Sequence, residues 1–245
     1  NFIVMKKTDS RYNLYINILK EELVPAMGCT EPICLAYAAA KAKEILGILP
    51  NKVEIFASGN IIKNVKSVIV PNTNGMKGIK ASVAVGIIAG DPNKALEVIA
   101  NVTDEQKIET QNFLDTTPIS VHHINSDEQL DVTVKLFLDE HNASVRISGF
   151  HTNIVSIQKD NNTIFESNTI SAPTKELTDR SVLSVEGIYD FANSVDLDDI
   201  KDVIERQLKY NKAISEEGLK NNWGANIGSL LLNQFGSNVK IKAKA

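Results

Sequence analysis

A cysteine precedes a predicted helix in the string GCTEP, residues 28–32. A helix N-terminus offers free backbone N–H groups and a positive dipole end, so we expect it to stabilise a thiolate of Cys29 and lower its pKa. Such a thiolate can act as a base, a nucleophile or a metal ligand, and Glu31 can hydrogen-bond to it or orient it. Thr30 is the predicted N-cap and is also a candidate substrate-binding residue. The alternative is that Cys29 is a small buried side chain, and composition alone leaves both interpretations open.

The second cysteine, Cys34, is predicted to be a core residue. Five residues along a helix turn the chain so that Cys29 and Cys34 would lie roughly 140° apart. They therefore cannot both face one metal ion from the same helix. Two cysteines in 245 residues form no disulfide framework and are typical of a reducing compartment, so we expect a cytoplasmic protein.

Two polar loops that contain glycine are candidates for ligand binding. Their strings are SGNIIKN, residues 58–64, and PNTNGMKG, residues 71–78. Amide, hydroxyl and ammonium groups suit a small polar ligand, and Lys63 can hold a carboxylate as a point charge. Each loop taken alone is more often an ordinary turn than a binding site. The candidate substrate-binding residues in them are Ser58, Gly59, Asn60, Lys63, Asn64, Asn74 and Gly75.

The histidines give little support for a metal site. His122 and His123 are adjacent on a predicted strand, so their side chains point to opposite faces. His151 and Thr152 stand at a predicted strand end, in the string GFHTN, and are further candidates for ligand contact. A half-exposed sheet histidine explains the same pattern. We therefore assign no metal ligand.

Hydrophobic periodicity predicts an α+β fold, a helical body with an inserted antiparallel β-sheet unit. Three regions are expected: residues 5–92, mostly helical with the three loops; residues 93–172, a helix with the sheet; and residues 173–245, helical again. Predicted helices are 11–23, a run from 33 to about 46, 80–89, 104–114, 182–194, 196–217 and 223–235. Predicted strands are 52–58, 119–124, 129–138, 143–148, 153–159 and 163–166.

Composition excludes several classes of function. The chain is 43% hydrophobic and 23% charged, as in an ordinary globular protein. A net charge of −4 gives no basic surface for nucleic acid. The longest apolar runs are too short to span a bilayer, so we expect no membrane partner. The spacings of a P-loop, of G-x-G-x-x-G and of G-x-S-x-G are absent from the sequence. We therefore expect a small-molecule ligand as the partner. The sequence does not decide whether the chain forms a homo-oligomer.

Four strings in order resemble one family. They are GCTEP, S-G-N-x-x-K-N, P-x-T-x-G-M-x-G with its small-residue helix and G-D-P, and G-x-H-T-N-I at residues 149–154. Together they resemble the iron–sulfur L-cysteine desulfidases, which belong with the alpha region of the iron–sulfur L-serine dehydratases. The resemblance covers most of the chain.

The resemblance implies β-elimination from L-cysteine or L-serine, giving pyruvate, ammonia and sulfide or water. In that family an open iron of a [4Fe–4S] cluster, held by three cysteines, assists the leaving group. Cys29 would then be the general base or a substrate-contacting thiolate, with Glu31 beside it. The substrate's carboxylate and ammonium would be held by Asn60, Lys63, Asn64 and Asn74.

The sequence departs from the family in its cysteines. The family's cluster cysteines follow a helix like residues 223–235, and Cys29 with Cys34 cannot supply three ligands. We therefore expect an N-terminal part of such a lyase, without bound cluster and inactive alone. The alternatives are a non-catalytic module that binds small amino acids and a structural subunit, against which the position of Cys29 argues. The sequence does not choose between cysteine and serine.

Overall fold

The computed structural model describes residues 5–26, 28–167, 177–222 and 225–238. The chain divides into two compact units, residues 25–177 and residues 1–24 together with 178–245. The helices are α1 Ser10–Glu22, α2 Thr30–Leu46, α3 Gly59–Val65, α4 Gly78–Ala89, α5 Asp104–Thr116, α6 Val185–Ser194, α7 Leu197–Lys220 and α8 Ile227–Phe235, with 3-10 turns at Pro92–Glu97 and Gly236–Asn238. The strands are β1 Lys52–Ser58, β2 Ile119–Ile124, β3 Asp131–Leu138, β4 His141–Ser148, β5 Ile154–Lys159 and β6 Asn162–Glu166.

The strands form one six-stranded sheet in the order β2-β1-β3-β4-β5-β6. The predicted mixture of helices and sheet is confirmed, and the five strands predicted after residue 118 lie within two residues of their observed starts. One feature differs from the predicted antiparallel sheet. Strand β1 pairs parallel to β2, with Val53 opposite Ile119. The chain between these strands contains α3, α4 and α5, and such a crossover brings a strand back in the same direction. The remaining pairs are antiparallel.

The same pairing places β1 inside the sheet, between β2 and β3. The sequence had assigned residues 52–58 to the first helical region and the other strands to the second. The division of the chain into three domains stays a prediction. The two compact units group the residues differently, because strand pairing joins segments that are distant along the chain.

Helix α2 lies against strands β3 and β4 and packs on α4. Its alanines are small, which lets α4 approach closely. A Cβ added at Gly86 of α4 would lie 2.3 Å from the carbonyl oxygen of Ala36 and 2.7 Å from its Cα. Cys34 is fully buried in this core, which confirms its predicted role. Nearly all of α4 is buried too, as its small apolar sequence predicts.

The smaller unit has its own aromatic core. Tyr12 of α1 packs edge-on against Phe191 of α6, with ring centroids 5.7 Å apart, and Tyr15 lies 5.2 Å from the same ring. The Tyr12 hydroxyl donates to Asp199 Oδ2 at 2.8 Å and accepts from the Asp196 backbone N–H at 2.9 Å. These bonds hold the start of α7 against α1.

Two helix starts in this unit differ from the predictions. Helix α6 begins at Val185 rather than at residue 182, because the Ser184 hydroxyl caps it by accepting from the Gly187 N–H. The helix expected from residue 223 begins at Ile227, and residues 223 and 224 lie outside the described part of the chain. In the ranges given above, no helix is both long and apolar enough to cross a membrane.

We predict that Gly86→Ala lowers the free energy of unfolding of the larger unit by about 3 kcal/mol, because its methyl group would displace the backbone of α2. Gly47→Ala is the matched control. Gly47 ends α2 at φ +86° with nothing within 4 Å of an added Cβ, so only its backbone conformation resists alanine. That strain costs about 1 kcal/mol. Urea unfolding of both variants checks the difference, and equal losses would contradict the close approach.

Candidate functional site

The start of α2 carries the candidate cysteine. Cys29 is the N-cap, at φ −62° and ψ 122°, and makes no side-chain capping bond. Thr30, predicted as the cap, is instead the first helical residue, so that prediction is wrong by one position. Cys29 is exposed, which contradicts the alternative of a buried core side chain.

Gly28 brings a second predicted loop to this helix start. Its φ of +115° is a conformation that L side chains rarely adopt, so a glycine is needed at this turn. A Cβ added there would lie 3.6 Å from Cγ of Pro71, which opens the loop of residues 71–78. The GCTEP string and the PNTNGMKG string are therefore neighbours in space.

Glu31 is the centre of a short hydrogen-bond chain. The Cys29 thiol donates to Glu31 Oε2 at 3.0 Å, and Asn64 Nδ2 donates to Oε1 at 3.3 Å. Asn64 reaches Glu31 because α3 follows β1 without a loop and contacts α2. The carboxylate is thus held from both sides, by a thiol and by an amide.

This arrangement fixes where the proton lies at rest. Partial burial and the hydrogen bond to Glu31 raise the pKa of Cys29, while the bond from the thiol lowers the pKa of Glu31. Both shifts favour a neutral thiol beside an ionised carboxylate. The lowered cysteine pKa predicted from the helix dipole is therefore wrong, because burial and an adjacent negative charge outweigh the dipole.

A cleft of about 410 Å³ opens beside Glu31. Three of the sequence candidates, Glu31, Asn60 and His151, share it. It lies beyond the carboxyl ends of β1 and β2. These two strands are parallel, so their carboxyl ends lie on the same side of the sheet. The other lining residues are Ile61, Asp127, Glu128, Gln129, Leu130 and Gly149.

His151 is half-buried, and its burial lowers its pKa, although the negative charge of Glu31 opposes the shift. The imidazole is therefore neutral near pH 7 and adds no positive charge beside Glu31. The sequence could not say whether His151 comes near the cysteine. The structure brings it to the cleft that Glu31 lines, and Glu31 in turn bonds Cys29.

Other candidates are used for structure or face solvent. The Ser58 hydroxyl is buried and donates to the Gln129 carbonyl at 2.6 Å, so it ties β1 to the turn before β3. A Cβ on Gly59 would lie 3.3 Å from His123 Nε2, so the glycine makes room for that ring. Lys63 is exposed and is not among the cleft residues.

The remaining candidates also lie outside the cleft lining. Asn74 and Gly75 are exposed and have positive φ angles of 55° and 91°, which form the turn of the second loop. Thr152 is exposed beside His151. The structure therefore does not place these three residues in the lining of the cleft.

The turn of residues 127–130 was missed by sequence reasoning. Its acidic and amide side chains precede a strand, and only the parallel pairing of β1 and β2 would have placed them at the cleft. The turn is anchored by Asp131, which is fully buried and bonded by Arg146 Nε at 2.9 Å and Nη2 at 2.7 Å. The Ser126 hydroxyl also donates to Asp131, at 2.7 Å.

The described residues do not fit an iron–sulfur cluster. Three thiolates are needed to hold one with an open iron. Cys29 is exposed at the start of α2, whereas Cys34 is enclosed in the core. In the parts of the chain that the structure covers, no group of three or more His, Cys, Asp and Glu side chains is placed to hold a metal ion.

Comparison with known proteins gives relatives over nearly the whole chain. It is 48% identical over 241 residues to a protein of Desulfitobacterium hafniense (strain Y51) named UPF0597 protein, a match that covers 98% of this chain and 56% of the relative. The chain is similar to the UPF0597 proteins. A second, from Lachnoclostridium phytofermentans, is 46% identical over 234 residues, which is 96% of this chain and 56% of that protein. A third, from Fusobacterium nucleatum, is 44% identical, with coverages of 96% and 56%.

The chain spans about half the length of the curated relatives it matches. Their names state no activity. No family model matches the chain. No solved structure matches it either.

We predict that Glu31→Gln moves the alkylation of Cys29 by iodoacetamide to lower pH, because the thiolate loses its negative neighbour and its pKa falls. The measurement is the alkylation rate against pH, read at Cys29 by peptide mass spectrometry. Glu44→Gln, on the same helix but paired with Lys41, should leave the profile unchanged. An unchanged or upward-shifted profile for Glu31→Gln would contradict the proposed coupling.

Proposed function

We propose that this protein is part of a β-eliminating lyase that acts on L-cysteine or L-serine. The observation that carries the proposal is the Cys29 thiol bonded to the Glu31 carboxylate at the start of a helix. Of this pair, Glu31 lines the polar cleft and Cys29 does not. The GCTEP, SGN and HTN strings of the resemblance support the same chemistry.

The lining of the cleft suits the charges of an amino acid. Carboxylates of Asp127 and Glu128 favour the substrate's ammonium group, while Glu31 is bonded to the Cys29 thiol. The amides of Asn60 and Gln129 can donate to its carboxylate. The cleft volume of about 410 Å³ exceeds the needs of either substrate, so water would share it.

The chemical role of the pair is proton transfer. The thiol proton passes from Cys29 Sγ to Glu31 along the existing 3.0 Å hydrogen bond, and the thiolate then removes the proton from the substrate's Cα. The Cα electron pair forms the new double bond while the bond from Cβ to sulfur or oxygen breaks. Glu31 returns its proton to the departing sulfide or hydroxide, and the product is aminoacrylate.

The proton balance of this cycle is closed. Sγ gains the Cα proton, Glu31 loses the proton it borrowed, and the pair returns to thiol and carboxylate. Aminoacrylate then takes up water and gives pyruvate and ammonia. Neutral His151 suits the scheme, because it does not neutralise Glu31. A cluster would assist the leaving group, but the described residues do not fit one and none of these steps uses it.

The second candidate is a non-catalytic module that binds small amino acids. It is favoured by the resting proton position, because a neutral thiol beside a carboxylate can serve as a hydrogen-bonding pair without chemistry. In that case Cys29 and Glu31 would contribute to affinity alone. The two candidates differ in whether the substrate is consumed.

We predict that Cys29→Ser and Glu31→Gln each lower pyruvate release by about a hundredfold or more, since each removes one half of the proton pathway. The assay supplies L-cysteine or L-serine to the protein expressed from the whole gene. The protein is tested with and without anaerobic reconstitution with iron and sulfide. Glu44→Gln is the control and should keep the rate.

Calorimetry of the same variants separates the candidates. Binding of L-serine within about tenfold of wild type, together with lost pyruvate release, supports the lyase. Binding without pyruvate release in every sample, wild type included, would leave the binding module instead.

A further inference from the structure

The smaller unit contains an apolar groove of about 760 Å³ between α1, α6 and α7. We call it the helical groove. It shares no lining residue with the cleft, and nothing in the proposed chemistry uses it. Its principal apolar lining residues are Tyr15, Leu19, Leu183, Ile188, Leu197 and Ile204.

Large apolar side chains at the rim of the helical groove are open to solvent. Leu197 is 74% exposed and Ile188 is 50% exposed. Leu208, 62% exposed, continues the surface along α7, because positions 197, 204 and 208 fall on one face of a helix. A contiguous apolar surface of this kind marks an interaction site rather than an ordinary protein surface.

The charges of the groove fit a polypeptide partner with a polar outer face. Asp198, Lys201 and Glu205 stand along its edge, so both signs are present around an apolar floor. A groove of this form takes an amphipathic helix, whose anchors recur at i, i+3 or i+4, and i+7. It offers no cluster of one charge for a nucleic acid or a lipid headgroup.

We infer that the helical groove docks polypeptide of the kind that the UPF0597 relatives carry outside the matched region. The match covers 98% of this chain but 56% of the Desulfitobacterium protein, so that relative carries further residues outside the matched region. A segment on the same chain meets the groove at high effective concentration, which favours it over a separate protein. This inference stands independently of the lyase proposal.

The test co-expresses the tagged chain with the part of the Desulfitobacterium relative that lies outside the match. That part should co-purify with the wild-type chain. The double variant Ile188→Glu with Leu197→Glu should recover about tenfold less, because two charges would be buried at the groove. Ile108→Glu, at a position 65% exposed on α5 of the larger unit, is the matched control and should recover as much as wild type.

The outcomes decide the inference. Equal recovery by all variants overturns it. A dimer of this chain alone, dissolved by the same double variant in light-scattering measurements, also overturns it, because a second copy would then occupy the groove. If the wild type recovers nothing, amide hydrogen exchange decides on the full-length relative. Two samples are compared: the full-length relative and its matched portion expressed alone. Exchange about tenfold slower at the equivalents of α6 and α7 in the full-length relative supports docking, and equal exchange in the two samples overturns it.

Discussion

The close packing of α2 on α4 determines the position of the candidate site. Gly86 lets the two backbones approach until an added Cβ would stand 2.3 Å from the carbonyl of Ala36. Because α2 is held in this way and also lies against β3 and β4, its first turn is fixed relative to the sheet edge. Cys29 and Glu31 belong to that first turn. Their geometry is therefore a consequence of helix packing at Ala36, less than about two turns away.

Electrostatics at this helix start oppose the simple expectation. A dipole alone would favour a thiolate, but a carboxylate at 3.0 Å keeps the proton on sulfur. Asn64 satisfies the second oxygen of Glu31, and neutral His151 leaves its charge in place. The pair is thus a thiol beside a base, and the hydrogen bond between them is the path along which the thiol proton can move.

Local features were predictable from the sequence, and the assembly of the site was not. Periodicity predicted α1, the cap and breaker residues predicted α2, and the small apolar composition of residues 80–89 predicted α4. Helical geometry separated Cys34 from Cys29. The position of β1 between β2 and β3 depends on pairing across more than sixty residues of sequence, from Val53 to Ile119. The turn of residues 127–130 could not be assigned to the cleft without that pairing. The pKa of Cys29 depends on which way Glu31 points, and no motif records a side-chain orientation.

The most direct measurement is proton NMR of L-serine in D₂O with the chain present. If Cys29 and Glu31 move the Cα proton, the wild-type chain will exchange it for deuterium, and Cys29→Ser and Glu31→Gln will not. This readout needs no departure of the leaving group. Two results would contradict the central role of the pair. One is replacement of the Cα proton by deuterium as fast with Cys29→Ser as with wild type, and the other is serine that binds the wild-type chain but keeps its Cα proton.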